Sequence, residues 1–321
     1  MALVLPTVVD LKSNVLAVEN QGTISSCTAN ATASACEMIL KSHSDYRHLS
    51  RLFNYYEARK PSVLDNGTEL RTVLSVLTTL GAPSENLWPY NISNMNVKPP
   101  TSVYTEGATR LLDTYSRITL DSATIDSIKS ALYEGYLVVV SIVIDPDFQG
   151  ISGDLVHQAN YPWNGISYSN GIGNHAILIV GYNDYFNSFL ILNSWGLGWG
   201  DRGFGLIPYS SMALSLNEAW VMKGINGKTL KPDLTTLPIV NFPSLSPIGL
   251  LIPYTNNSTS NLRISSVVVQ NDSLGEFSLL NQGVLISTVV SPGAQLRIPV
   301  KYTVKQSCFT YPTVVVQGTY F

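Results

Sequence analysis

The chain has 321 residues, of which 45% are hydrophobic and only 13% are charged, and its formal net charge is −3. This length suffices for about two domains, and the hydrophobic fraction supplies a sizeable core. Because the charge is near neutral and no Lys/Arg cluster is present, the chain lacks the electrostatic footprint of a nucleic-acid-binding protein, and no nucleic-acid partner is expected.

The first quarter of the chain is predicted to be mainly helical. Residues 1–20 are predicted to form an extended arm, and their start "MALVLPTVVD" has neither the basic residues nor the apolar length of a signal peptide. A helix is predicted from Ser26 to about Ser42, capped by the two serines before Cys27. Apolar residues at helical spacing predict two further helices, over 49–60 and 68–83.

From about residue 109 the pattern changes to strands. A long loop rich in Gly, Asn and Tyr is predicted over 145–173. The apolar run "YLVVVSIVI" ends shortly before it and is far shorter than the roughly 20 residues of a membrane span, so it predicts a buried strand and no membrane partner. The predicted elements are a strand over 110–120, a helix over 124–136, and strands over 137–144, 175–184, 188–196 and 203–209.

The last third of the chain is predicted to be a separate all-β unit. Four prolines recur between Lys231 and Pro247, and beyond them short segments alternate or run apolar without helix signals. A small sandwich is the simplest fold for such a pattern. The predicted organisation is a first domain over 1–227, a linker over 228–247 and a β domain over 248–321.

Three cysteines are present, and so small and odd a number argues against a disulfide framework. Cys27 and Cys36 lie nine residues apart on one predicted helix and therefore point to opposite sides. Cys308 is expected to be a buried residue of the β unit. Cys27 opens its helix, where the partial positive charge and free N–H groups lower the pKa of a thiol. A small buried hydrophobic residue is the alternative.

A reactive thiol needs an imidazole to exchange protons with it, and four histidines are available. His43 and His48 follow the first helix and are expected at the surface. His157 lies in the long loop, where it is expected to be exposed, although a role on the substrate side stays open. His175 lies where the sequence "GIGN" meets a strand, which can hold a side chain rigidly beside a cleft. A structural histidine at a strand end is the alternative.

The segment "LILNSWGLGWGDRGFG" supplies a third candidate group. A catalytic imidazole needs its second nitrogen fixed, and the amide oxygen of Asn193 can fix it without adding a competing charge. Trp195 could cover that hydrogen bond and keep water out. A glycine-rich hairpin with packed indoles is the alternative, although two tryptophans and so many glycines are an unusual way to build one.

Taken together, these segments resemble the papain/cathepsin family of cysteine peptidases. The order of Cys27, His175 and Asn193, the "NQG" before the cysteine, "LPTVVDL" at the start and "NHAILIVGY" carry the resemblance, over about residues 5–225. His175 follows Cys27 by 148 positions, within the ~130–150 that the family uses. "SCTANA" is similar to the bacterial and phage branch. The resemblance implies an α+β, papain-like two-lobe fold, with a helical lobe and a β-barrel lobe.

Roles follow from the resemblance position by position. Cys27 is expected as the nucleophile, His175 as general base and acid, and Asn193 as its orienting partner. The Gln21 side chain and the Cys27 backbone N–H are expected to form the oxyanion hole. Gly67 and Trp195 are expected to contact the substrate. The implied partner is a polypeptide substrate, with neither cofactor nor metal.

Three features set this chain apart from the family pattern. Ser25 stands where the family has glycine, and a side chain there could narrow the cleft floor or alter the loop. No inhibitory pro-segment is expected, so assembly, occlusion or weak activity would have to restrain the enzyme. The C-terminal unit is similar to Ig-like modules through "VSPGAQLRIPVKYTV" and is expected to dock to an assembly partner.

Three hypotheses remain open on the sequence alone. The first is an active cysteine endopeptidase with a docking domain. The second is a structural or binding component of a phage particle or surface assembly that keeps the fold with little or no activity. The third is an acyl transferase or amidase on cell-wall peptides that uses the same thiol. A cytoplasmic or virion-associated location is expected.

Overall fold

The computed structural model describes residues 5–60, 62–184, 186–230, 248–255, 260–270, 277–279, 289–292, 295–302 and 313–320. The chain divides into two compact units, Met1–Pro238 and Ile239–Phe321. No helix in the described ranges has both the length and the apolar character needed to cross a membrane.

The first unit contains helices followed by an antiparallel sheet. Its helices are α1 Cys27–Lys41, α2 Arg51–Arg59, α3 Leu70–Thr79, α4 Thr101–Gly107, α5 Thr124–Tyr133, α6 Pro146–Gln149, α7 Leu155–Asn160 and α8 Tyr209–Ser215. Its strands are β1 Val8–Asp10, β2 Tyr115–Arg117, β3 Leu137–Ile144, β4 Gly173–Asn183, β5 Ser188–Leu192, β6 Phe204–Pro208 and β7 Leu216–Met222. The unit is therefore α+β, as predicted.

Helix α1 is buried along almost its whole length. Ala, Ser and Thr fill its first half, and such small side chains allow close packing against neighbouring elements on several sides. The predicted helix is confirmed to within one residue at each end. The predicted serine cap is wrong, because Ser26 occupies the N-cap position but its side chain makes no capping hydrogen bond. The first N–H groups of α1 are thus left without that cap.

The sheet runs in the order β2-β7-β3-β4-β5-β6, with β1 also paired to β4. Every pairing is antiparallel. Helix α1 packs against β4 and, to a lesser extent, against β3. The buried strand predicted from the apolar run is confirmed as β3, every residue of which except Ser141 is buried. The start of α1 and the start of β4 are thereby held in one core.

Three parts of the first unit differ from the sequence prediction. The strand predicted over 110–120 is only the three-residue β2. The predicted loop over 145–173 contains α6 and α7, because Asp145 and Asp154 each cap a short helix by accepting a backbone N–H. Helices α4 and α8 and strand β7 were not predicted.

Almost all described residues of the second unit lie in strands. They are β8 Ile248–Thr255, β9 Leu262–Gln270, β10 Phe277–Leu279, β11 Val289–Val290, β12 Gln295–Tyr302 and β13 Thr313–Tyr320. They form two three-stranded sheets, β10-β12-β8 and β11-β9-β13, and β9 of one sheet contacts β10 of the other. Strand β8 was not predicted. Cys308 and the linker residues 231–247 lie outside the described residues.

Candidate active site

Cys27 is the first residue of α1 and is partly exposed. The backbone N–H groups of Ala176, the residue after His175, and of Cys27 and Thr28 lie near its sulfur and act to lower the pKa of the thiol. The start of α1 is therefore brought to the start of β4. Cys36, on the same helix, is fully buried, and both thiols are free.

His175 and Asn193 are in direct contact. His175 is buried near the start of β4, and Asn193 is buried immediately after β5. The antiparallel pairing of these two strands brings the side chains together, and His175 Nε2 lies 2.7 Å from Asn193 Oδ1. The two residues lie 18 positions apart, and the hairpin of β4 and β5 brings them into contact.

The orientation of the Asn193 amide fixes the tautomer of His175. Asn193 Oδ1 also accepts the Ser194 backbone N–H at 2.8 Å, and a backbone N–H can only donate. The atom facing His175 is therefore an acceptor, so Nε2 carries the hydrogen and Nδ1 keeps its lone pair. A flipped amide would set two donors against each other, although Asn193 Nδ2 has no hydrogen-bond partner within the described residues.

Aromatic rings cover this pair. Trp195 stacks on the His175 ring, with centroids 4.5 Å apart and planes 28° apart. Phe148, fully buried at the end of α6, meets the edges of both rings, at 5.7 Å from Trp195 and 6.1 Å from His175. These rings exclude water from the hydrogen bond between His175 and Asn193. Sequence reasoning did not identify Phe148, since it lies in the segment predicted to be a loop.

Gln21 is held next to the same region by Ser194. Ser194 Oγ donates to Gln21 Oε1 at 2.7 Å, and the Gln21 backbone N–H donates to the Ser194 carbonyl at 2.8 Å. Gln21 Nε2 therefore points the other way, where it donates to the Ile24 carbonyl at 3.0 Å. An amide nitrogen has two hydrogens, so this contact leaves one for a ligand.

Burial disfavours charge on both the thiol and the imidazole. It raises the pKa of the Cys27 thiol, against the backbone N–H groups of Ala176, Thr28 and Cys27, which lower it. Burial also lowers the pKa of the His175 imidazole to about 4, although the hydrogen bond to Asn193 acts in the opposite direction. At neutral pH each group considered alone is uncharged, and His175 is a proton acceptor.

Gly67 lies beside the residues that precede Cys27. Its φ is +76°, a left-handed conformation that favours glycine, and a Cβ there would lie 3.5 Å from the Ser25 carbonyl oxygen. The neighbouring Thr68 Oγ1 lies 2.6 Å from Thr28 Oγ1. The loop that holds Gly67 thus contacts the chain on both sides of Cys27.

The other three histidines are not part of this arrangement. The exposed ring of His43 contacts the Thr229 carbonyl, and the exposed His157 packs on Tyr161. His48 lies between Glu19 and Glu37, at 3.5 and 3.7 Å. These three residues form the only group in the described ranges with metal-binding composition. Arg51 lies 2.6 Å from Glu19, so an ion-pair network already satisfies the acidic groups.

Tyr90 is a second residue near the site to which the sequence analysis assigned no role. Its hydroxyl lies 2.5 Å from Ser26 Oγ and donates to the Gln21 carbonyl at 2.9 Å. It therefore links the residue before Cys27 to Gln21. Only the folded chain shows that Tyr90 reaches the site.

Comparison with known proteins finds relatives described as peptidases, proteases or cathepsins. A family model described as papain family cysteine protease matches residues 5–219. An uncharacterized peptidase C1-like protein of Acanthamoeba polyphaga mimivirus is 33% identical over 64% of this chain and 69% of that protein. A viral cathepsin of Rachiplusia ou multiple nucleopolyhedrovirus (strain R1) is 28% identical over 60% of this chain and 55% of that protein.

Solved structures show the same similarity. Xylellain, a cysteine protease from Xylella fastidiosa, superposes with a TM-score of 0.60 and 30% identity, over 68% of this chain and 87% of that chain. The two curated relatives are matched over 55% and 69% of their own lengths. Because the family model matches residues 5–219, the likeness concerns the first unit of this chain.

Proposed function

The chain belongs to the papain family of cysteine proteases, and on that premise we propose that it hydrolyses peptide bonds with the thiol of Cys27. The observation that carries the proposal is the contact of His175 Nε2 with Asn193 Oδ1 at 2.7 Å, beside a cysteine that begins a helix. Family membership supports thiol protease activity and a polypeptide substrate. The individual roles below are our assignment.

The proposed reaction begins with transfer of the Cys27 proton to His175 Nδ1. The sulfur attacks the peptide carbonyl, and the resulting oxyanion is bound by the Cys27 backbone N–H and the second hydrogen of Gln21 Nε2. His175 then gives its proton to the leaving amine. Water releases the acyl group in a second half-reaction, with His175 again as the base. Asn193 holds the imidazole throughout.

The pKa shifts support simultaneous formation of the Cys27 thiolate and the His175 imidazolium. Burial raises the pKa of Cys27 and lowers that of His175, so a lone thiolate or a lone imidazolium is unfavourable. Formed together, the two charges neutralise one another at short range. Substrate, which expels water from the cleft, strengthens that attraction.

We propose further that the loop at Gly67 pairs with the substrate backbone and that Trp195 borders the cleft. We also propose that residues 248–321 form an Ig-like docking module for an assembly partner, in a protein of the bacterial and phage branch. The two antiparallel sheets of the second unit support a sandwich. A chain that kept this fold as a structural component of a particle is the alternative.

Labelling with an epoxide-type thiol inhibitor, followed by mass mapping of all three cysteines, tests the proposal. Native protein at pH 7 is expected to be modified at Cys27 and not at the buried Cys36. Because the pKa of His175 is about 4, this labelling should persist in mild acid and disappear only as the pH approaches about 4. Cys27→Ala and His175→Ala are expected to abolish hydrolysis and leave the circular dichroism spectrum unchanged.

The His175→Ala variant gives the pH control. Without the imidazole, Cys27 keeps a pKa raised above its ordinary value of 9.0, so its thiolate fraction is small at neutral pH and grows only under alkaline conditions. Labelling of this variant should therefore be slow at pH 7 and recover above about pH 9. Native protein that is not labelled at Cys27 would contradict the proposal and favour the structural alternative.

A further inference from the structure

The loop from Leu64 to Thr68 is fixed to the first unit by side chains that the proposed reaction does not use. Arg59 Nη1 donates to the Leu64 carbonyl at 3.0 Å, and Thr68 bonds to Thr28. Between these two points lies Asp65, which is partly buried. Its contacts are directed to the residues just before Cys27.

Asp65 exchanges hydrogen bonds with Ser25 in both directions. The Ser25 backbone N–H donates to the two carboxylate oxygens of Asp65, at 3.0 and 3.2 Å. In return, Ser25 Oγ donates to the Asp65 backbone carbonyl at 3.3 Å. The residues are 40 positions apart, so the pair joins the Gly67 loop to the segment that precedes Cys27.

A buried tyrosine supports the Asp65 carboxylate from the other side. The Tyr55 hydroxyl donates to Asp65 Oδ1, and the Tyr55 side chain is fully buried in α2. Burial, followed by the neighbouring carboxylate, raises the pKa of Tyr55, so the phenol keeps its proton and remains the donor. Charge-assisted hydrogen bonds of this kind are about twice as strong as neutral ones.

We propose that Asp65 is a positioning residue. Its contacts with Ser25 and Tyr55 fix the position of the Gly67 backbone, so that an extended substrate backbone can pair with it. Ser25 thereby acquires a role, because its side chain completes the exchange with Asp65. The inference rests on the proposed function, since it concerns how the same cleft binds its peptide. Cys27, His175 and Asn193 do not contact Asp65.

Steady-state kinetics of the full chain on two fluorogenic peptides test this role. One peptide carries a single residue before the scissile bond, and the other carries three, which reach the Gly67 loop. Asp65→Ala is expected to raise KM for the longer peptide about tenfold, a typical loss for a charged hydrogen bond, with kcat nearly unchanged. The kcat/KM for the shorter peptide should stay within about twofold of the native value.

Further variants separate the contacts of Asp65. Asp65→Asn keeps one oxygen for the Tyr55 and Ser25 donors but sets an amide nitrogen toward the Ser25 N–H, so an intermediate rise in KM is expected. Tyr55→Phe removes one donor and keeps the ring, and it should also raise KM for the longer peptide only. Glu69→Gln is the matched control, because Glu69 is exposed on the same segment and makes no capping hydrogen bond.

The outcomes distinguish this inference from the proposed function. An equal loss on both peptides, or an unchanged KM for the longer one, would show that Asp65 has no positioning role. If Asp65→Ala does not fold, Asp65→Asn and Tyr55→Phe decide by the same split between peptides. If the native chain shows neither turnover nor Cys27 labelling, both the proposed function and the role of Asp65 are overturned. If the native chain turns over normally and the variants have the native KM for the longer peptide, only the role of Asp65 is overturned.

Discussion

In the proposed reaction, the contacts of Gln21 prepare its side chain for a charge that exists only in the transition state. Ser194 fixes the oxygen of its amide, and the Ile24 carbonyl accepts one of the two hydrogens on its nitrogen. The remaining hydrogen is oriented before substrate arrives, so little reorganisation is needed when the oxyanion forms. Tyr90 adds a contact to the Gln21 backbone and so holds the segment itself.

Gln21→Ala is therefore expected to reduce kcat by about two to three orders of magnitude, equivalent to roughly 3–4 kcal/mol, while KM changes little. Only an interaction made in the transition state and not in the ground state produces that pattern. Thr23→Ala, an exposed position in the same loop, is the control and should leave both constants near native values. A change in KM with constant kcat would mean that Gln21 binds ground-state substrate instead.

At the level of elements, β4 connects the candidate site with the N-terminal arm. Its first residues carry His175, and its last residues pair with β1, with Asp10 opposite Gly181. Gly181 permits this pairing, because a Cβ there would lie 2.3 Å from the Val9 carbonyl oxygen. Gly173, on the same strand, has no atom within 4 Å of the corresponding position.

Gly181→Ala is expected to displace β1 and to lower the free energy of unfolding by about 1–3 kcal/mol, the usual cost of overpacking. Gly173→Ala provides a matched control and should unfold close to the native midpoint. Urea unfolding of the full chain, followed by tryptophan fluorescence, measures both. Equal midpoints for the two variants would mean that the β1 pairing contributes no stability.

The sequence predicted the elements whose pattern is strong within one short segment. Helix α1 and strand β3 are of this kind. The pairing of His175 with Asn193 was expected from the segment "LILNSWG" and from the family resemblance. Strand β7 was missed because Asn217 and Glu218 interrupt its apolar pattern near a register shift against β3. The contacts of Asp65 with Ser25 and Tyr55 have no signal in one sequence, because they arise only when distant segments fold together.

For the whole molecule, Leu230 is the last described residue of the first unit. Its side chain is buried in the core of that unit, and the Thr229 carbonyl contacts His43, which lies just after α1. The predicted boundary at residue 227 would remove both contacts. The boundary at Pro238 would retain them.

A chain ending at Gly227 is expected to fold alone but to be less stable than one ending at Pro238, by about 1.5–3 kcal/mol for the lost leucine burial. Thermal unfolding of the two truncated chains measures the difference. Leu230→Ala in the chain ending at Pro238 is the matched variant and should approach the stability of the shorter chain. Aggregation of both truncated chains would mean that the first unit does not fold on its own.

The free thiols of α1 have a consequence for redox conditions. Neither Cys27 nor Cys36 forms a cross-link, and hydrogen bonds such as those of Asp65 hold the cleft loop instead. A reductant that keeps the Cys27 thiol reduced therefore finds no disulfide between Cys27 and Cys36 to break. Oxidants, in contrast, should attack the partly exposed Cys27 before Cys36. Burial raises the pKa of the Cys36 thiol, so that this thiol stays protonated. Under the proposed function, the first unit is therefore expected to lose activity when Cys27 is oxidised and to regain it on reduction, with its fold unchanged.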